Sequence, residues 1–224
     1  LGETHTFVVR DLNATEDRTF TMTSAETISV PVKNITTFDV AGTKVGYLTF
    51  NSHIKPAETQ LIDAISQLRV SNVEELVLDM RYNGGGYLTI AAELGYMVAG
   101  PMADGLIFDE LTFNDKYTER DPINNNIIEP SRFESTAAGF DAPTNPTPAG
   151  TALPSLSLSR VFVLSSGGTA SACEALINGL RGVDVEVILV GGATRGKPYG
   201  WYALDNCGTT YSTIQFKGSN EKGF

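Results

Sequence analysis

Three short segments hold residues whose types and spacing can do chemistry. The first, Asp79-Met80-Arg81-Tyr82-Asn83-Gly84-Gly85-Gly86, ends in three glycines. Glycine reaches backbone angles that a Cβ forbids. It also leaves N–H groups bare near the start of a following helix, where negative charge is stabilised. An anion or oxyanion cradle fits that pattern, and so does a tight turn needing glycine for steric reasons; taken alone, the glycines favour the turn. The second segment, Ser165-Ser166-Gly167-Gly168-Thr169-Ala170-Ser171-Ala172-Cys173-Glu174, puts Ser171 at a helix start just beyond a buried strand. Ligands sit at that place in open α/β sheets. Ser171 is there either a nucleophile with stabilising N–H groups beside it or a helix cap completed by Glu174 three residues on. The third segment, Gly191-Gly192-Ala193-Thr194-Arg195-Gly196-Lys197-Pro198-Tyr199-Gly200-Trp201, sets Lys197 in a glycine-rich turn after an apolar strand. A desolvated lysine sheds its charge easily and can serve as a base; a solvated surface lysine is the ordinary alternative.

The elements that must position these segments alternate between strand and helix. Residues 45–50 predict a strand. Pro56 suits a first helical turn, and Leu61, Ile65 and Leu68 follow at helical spacing. The apolar run 76–80 predicts a strand buried on both faces. A helix over 88–99 and a strand over 106–113 come next. Residues 114–154 are rich in Pro, Asn, Asp, Thr and Gly, and so long a loop is expected to be functional, as a lid for instance. Strands over 160–164 and 185–190 flank a helix over 171–180, and residues 209–216 predict a last strand. Such alternation predicts an α/β fold with a mainly parallel sheet. Ahead of it, residues 6–10, 18–22 and 28–32 read as three extended pieces around a polar turn.

Composition narrows the function classes. The 224 residues are 42% hydrophobic and 19% charged, which is globular. A net charge of −10 disfavours a broad nucleic-acid-binding face, since phosphate contacts need clustered Lys and Arg. No apolar run is long enough to span a membrane, and no signal peptide is visible; the first residue is Leu1, so an upstream segment is expected to have been removed or omitted. Two cysteines, Cys173 and Cys207, and two histidines, His5 and His53, make neither a disulfide framework nor a metal-ligand pattern.

In this order, the three segments and the strand over 45–50 resemble the carboxy-terminal-processing (tail-specific) serine peptidases, whose core is shared with tricorn protease. The likeness covers residues 44–217. It implies a fold similar to the Clp protease and crotonase superfamily, built of ββα units. It also implies that Ser171 is the nucleophile and Lys197 the general base of a Ser–Lys pair, with no cofactor. The oxyanion hole would be the Ala172 amide and an amide of the triple glycine, either Gly84 or Gly85. Glu174 would support the site, and Asn178 shares its helical face. A peptide or protein substrate, cleaved through an acyl-enzyme near its C-terminus, follows from the same likeness. Residues 1–34 then resemble the end of a truncated PDZ-like module, and 35–224 the catalytic core. An extracytoplasmic bacterial setting is the family's usual one.

Departures from the pattern stand beside it. Many members carry Gln four residues after the lysine, where this chain has Trp201; the Gly-Lys-Pro-Tyr-Gly-Trp variant resembles a bacterial subgroup. The orienting group for Lys197 must then come from elsewhere. Cys173 stands where Ser is commoner, and is expected to be a small buried residue. Tricorn's histidine position corresponds to Thr49, while His53 is expected at the surface or rim, a weak alternative base. Tyr199 and Trp201 either line a peptide groove or pack. A non-catalytic peptide-binding relative is the competing function, and a crotonase-like acyl-CoA enzyme a remoter one.

Overall fold

The computed structural model describes residues 1–123, 125–143 and 145–224. Its centre is a five-stranded sheet in the order β3-β4-β5-β8-β9, made of β3 (Val32–Val40), β4 (Thr43–Phe50), β5 (Glu75–Asp79), β8 (Arg160–Ser165) and β9 (Glu186–Gly191). From β4 to β9 the pairing is parallel, and only the edge strand β3 is antiparallel. Helices α1 (Ala57–Val70), α2 (Leu88–Ala99) and α3 (Ala172–Gly182) connect and cover it. A second sheet, in the order β10-β13-β6-β7, joins β10 (Tyr199–Gly200), β13 (Phe216–Ser219), β6 (Ile107–Thr112) and β7 (Ser131–Arg132). Two hairpins, β1 (Thr4–Val9) with β2 (Arg18–Thr23) and β11 (Leu204–Asn206) with β12 (Thr209–Tyr211), stand apart from both.

The core follows the expected pattern. Leu76, Leu78 and Met80 are fully buried, as are Leu61, Ile65 and Leu68 on α1. Helix α2 is buried on every side from Ile90 to Ala99, because it lies between α1 and α3; apart from Glu93 and the Tyr96 hydroxyl it is apolar all round, as a helix without a solvent face is. Gly179 lets α3 close on β6, and Gly95 lets α2 close on Phe133, next to β7. A Cβ at Gly179 would stand 2.7 Å from the Phe108 ring, and one at Gly95 would stand 2.7 Å from Phe133.

Three expectations need correction. Residues 28–31 form no strand; the strand begins at Val32, so a boundary at residue 34 falls inside β3. This strand escapes pattern reading because it is a largely exposed edge with polar residues on both faces. The expected strand over 209–216 is two short ones, β12 and β13, in different sheets. His53 is not at the rim but fully buried. Its backbone is locked to Gly86 by a parallel bridge, and a Cβ at Gly86 would stand 2.2 Å from the His53 carbonyl oxygen.

Candidate active site

Strands β5, β8 and β9 are neighbours in the sheet, and the three chemistry-bearing segments leave their carboxyl ends side by side. Hydrogen bonds to backbone carbonyls lace the first two turns together. Ala170 N–H donates to Asn83 O (3.2 Å) and the Thr169 hydroxyl to Met80 O (2.8 Å). The third segment joins through Arg195 N–H, which donates to Thr169 O (2.9 Å).

Ser171 is the N-cap of α3, with φ 59° and ψ −118°. A residue with a side chain pays about 1–3 kcal/mol to be held there. The strain is sustained by its surroundings: Gly85 is so close that a Cβ on it would lie 2.7 Å from Ser171 Cβ. Ala172 begins the helix, and no acceptor is found for its N–H among the described residues. In the glycine turn, Gly85 N–H donates to Asn83 Oδ1 (2.9 Å), whereas Gly84 N–H has no such partner among the described residues.

Lys197 Nζ lies 3.3 Å from Ser171 Oγ and donates to it. Partial burial lowers the lysine's pKa; the nearby Glu174 charge acts the other way without cancelling the effect. The face of Trp201 lies 4.0 Å from the same nitrogen. Glu174 binds both halves of the pair. Its Oε2 accepts from Ser171 N–H (2.9 Å) and Lys197 N–H (2.9 Å), and its Oε1 from Gly196 N–H (2.6 Å). Burial pushes this carboxyl up, but the bonds from Lys197, Thr194, Ser171 and Gly196 outweigh it and hold it below the usual range. The Ser171 hydroxyl and Lys197 open onto a cavity of about 1090 Å³ walled by α3, the glycine turn and the second sheet.

Residues 44–205, well over half of the sequence, match peptidase family S41. The chain belongs to peptidase family S41. Over 156 residues the S41 chain is 27% identical to a carboxyl-terminal-processing protease of Picosynechococcus sp., covering 70% of this chain and 30% of that protein. Among solved structures it is similar to a Bacteroides fragilis NCTC 9343 protein assigned to the S41 proteases, with a TM-score of 0.71 and 23% identity over 100% of this chain and 57% of the other. A photosystem II D1 C-terminal processing protease has a similar fold, with a TM-score of 0.59 and 19% identity over 100% of this chain and 52% of the other. The S41 chain thus spans 30% of the curated relative and little more than half of each structure.

The S41 fold brings Ser171, Lys197, Glu174, Ala172, Gly84 and Gly85 to one cavity wall or its edge. Thr49 is directed elsewhere: its hydroxyl is taken by Asn34 Nδ2 and the Tyr47 hydroxyl, each at 3.2 Å. His5 sits on the exposed β1–β2 hairpin beside Glu3. His53 Nδ1 meets Asn83 Oδ1 at 3.1 Å, and burial drives its pKa down to about 4, so it stays neutral. Cys173 is buried and donates to Asn83 O (3.2 Å); burial pushes its thiol up to about 12, which removes it as a nucleophile near neutral pH.

Asn83 is the residue that pattern reading undervalued. Its Nδ2 donates to Phe50 O (3.0 Å), so Oδ1 faces His53 and Gly85. One side chain therefore ties the end of β4, the buried histidine and the glycine turn. Its only signal in the sequence is its place before three glycines, where an Asn side chain closes a turn on its own backbone. No group of three His, Cys, Asp or Glu side chains among the described residues could hold a metal, and none of the described helices is long and apolar enough to cross a membrane.

Proposed function

We propose that this chain is the catalytic core of a serine endopeptidase that works through an acyl-enzyme on Ser171 with Lys197 as general base. The observation that carries the proposal is the 3.3 Å contact between Lys197 Nζ and Ser171 Oγ at the wall of a peptide-sized cavity. In its neutral form the lysine accepts the hydroxyl proton as Oγ attacks the scissile carbonyl. The Ala172 amide and an amide of the Gly84–Gly85 turn then face the oxyanion. Lys197 returns the proton to the departing amine, and water repeats the sequence to release the acid. Glu174 holds the two partners in register. The β1–β2 hairpin is, on the same proposal, the end of a PDZ-like module, and the setting is extracytoplasmic. Cleavage near protein C-termini is the substrate class proposed.

One observation favours a binding-only relative. The Trp201 face beside Nζ stabilises the ammonium form, which cannot act as a base. At partly exposed sites such contacts contribute about 0.5–1 kcal/mol, under one pKa unit. That is too little to block deprotonation, so the catalytic assignment is preferred. Reaction with a fluorophosphonate, read by intact mass, decides between them. A single adduct on the wild type, absent from Ser171→Ala and Lys197→Ala, is the expected result. A folded wild type that forms no adduct would count for the binding-only relative.

A further inference from the structure

The cavity wall carries two carboxylates, and they differ in what they do. Glu174 is committed to three backbone N–H groups. Asp109 has no such commitment among the described residues. It is 7% exposed, and among the described residues its carboxylate has no hydrogen-bond or ion-pair partner. On β6 Phe108 packs against Gly179 of α3, while Asp109 beside it borders the cavity. Gly218 on β13 makes room for it, since a Cβ there would lie 2.2 Å from Asp109 Oδ1. Neighbouring polar groups are already engaged. Asn178 donates to Phe224 O and accepts from Asn220, and the Tyr202 hydroxyl pairs with Asp121.

A buried carboxylate without a counter-charge is costly. Desolvation alone accounts for its pKa being raised to about 6, so near neutral pH it is still largely charged. Aromatic rings line the approach: Tyr199, Trp201, Tyr202 and Phe216 all border the cavity, and such faces attract cations as well as apolar stems. Phe108, next to Asp109, touches Gly179 of α3, and Ser171 caps the start of that helix, so roughly two helical turns, about 12 Å, separate Ser171 from the level of Asp109. That depth suits an extended lysine or arginine side chain entering from a scissile bond at Ser171. Lys197 is held at the other end by Ser171 and Trp201 and does not fill this place.

We propose that Asp109 selects peptides carrying a basic side chain on the residue that supplies the scissile carbonyl, with the alkyl stem against the aromatic wall and the cation on the carboxylate. The proposal rests on the cavity being the peptide site, as assigned above. The chain's net charge of −10 favours the approach of such peptides.

The test separates binding from hydrolysis. Trp201 is the only tryptophan of the chain and borders the cavity, so its fluorescence reports occupancy. N-acetyl-Ala-Ala-Lys and N-acetyl-Ala-Ala-norleucine, with free carboxylates, are titrated into the Ser171→Ala protein. Internally quenched peptides with the same two residues before the scissile bond are given to the wild type. The lysine peptide is expected to bind about ten- to a hundred-fold tighter, the range for a charge-assisted bond to a buried group. Asp109→Asn should bring the ratio close to one. Equal binding, a norleucine preference, or a lysine preference that survives Asp109→Asn would overturn the proposal. The first comparison needs no Asp109 variant, so poor folding of that variant does not shield the idea. Hydrolysis of norleucine peptides at least as fast as lysine peptides would remove Asp109's role and leave the peptidase intact. No hydrolysis of either, with lysine-selective binding retained, would remove the peptidase assignment and leave Asp109's role intact.

Discussion

Replacing Glu174 by Gln tests the coupling at the centre of the site. The carboxylate accepts three backbone N–H bonds, two on Oε2 and one on Oε1. A glutamine has one oxygen to offer. If that oxygen takes the place of Oε2, the Gly196 N–H faces an amide NH₂ and loses its acceptor. Charge-assisted bonds are worth about 1.5–3 kcal/mol, and partial solvent exposure argues for the low end, so a net loss of about 1–2 kcal/mol is expected. For a chain of this size that corresponds to a fall in melting temperature of roughly 2–8 °C. The kinetic signature is separate. The Glu174 charge raises the Lys197 pKa, so removing it lowers that pKa further. On the proposed mechanism activity requires neutral Lys197 and falls as pH drops through its pKa, so the acid limb of the rate profile should move to lower pH. The plateau should fall as well, because a base displaced by 1 Å can cost on the order of a hundred-fold. Differential scanning fluorimetry and the pH dependence of fluorophosphonate labelling measure both effects. An unchanged melting temperature together with an unmoved acid limb would refute the assignment of Glu174 as the link between nucleophile and base.

Two further expectations concern the turns and the long loop. Gly85 has φ 98° and would press a Cβ onto Ser171, Ala170 and Ala172; Gly85→Ala is expected to destabilise by about 1–3 kcal/mol. Gly84→Ala has open space around it and should change stability by less than about 0.5 kcal/mol, as chemical denaturation will show. Glu93, fully enclosed beside Glu58, accepts from Ala138 N–H, while no donor reaches its Oε2 among the described residues. Burial, reinforced by Glu58 and Glu134, holds its pKa well above the usual range. The protonated form is therefore the one that belongs in the fold, and its contribution is full at acid pH and lost as pH rises past the ordinary carboxylate value. Melting temperatures taken from about pH 5 to pH 8 should fall for the wild type and stay flatter for Glu93→Gln, whose amide supplies a permanent donor; parallel curves would count against a protonated Glu93.

The sequence made the grouping of the candidate residues legible where spacing along the chain was enough. Ser171 to Glu174 is one helical turn, and the three glycine-bearing turns follow three apolar runs, so their meeting at adjacent strand ends could be expected. Contacts made across the chain were not legible in that way. The burial of His53 depends on Gly86, 33 residues later, taking a backbone angle that brings the two chains within bridge distance. Asn83 gains its importance from Phe50 and His53, which no local pattern connects to it. Trp201 reaches Lys197 across the short strand β10, so its spacing of four residues carried no helical meaning there. Asp109 reads as one more acidic residue beside Glu110 until β13 is laid across it.

The loop from residue 114 to 154 shows how its sequence and its attachment differ. Low periodicity suggested a mobile cover, yet Glu58 accepts from Gly139 and Phe140 N–H, both at 2.8 Å, and Glu93 from Ala138. Phe140 rests on Tyr87, directly after the triple glycine, with ring centroids 5.0 Å apart. The stretch is thus fastened to α1 and α2 by the buried side chains of Glu58 and Glu93, and to β6 by the short strand β7 within it.

Glu174 also limits the number of partial assemblies the site can populate. One carboxylate holds the N–H of Ser171 and those of residues 196 and 197, so detaching the lysine loop also releases the acceptor geometry that fixes the nucleophile's backbone. Opening becomes a single event with a single free energy, and amide hydrogens at 171, 196 and 197 should exchange with one shared protection factor. A chain in that open state carries neither a poised serine nor a nearby amine. On the proposed mechanism, the bond set that pairs nucleophile with base therefore also keeps a half-built, indiscriminate nucleophile from accumulating.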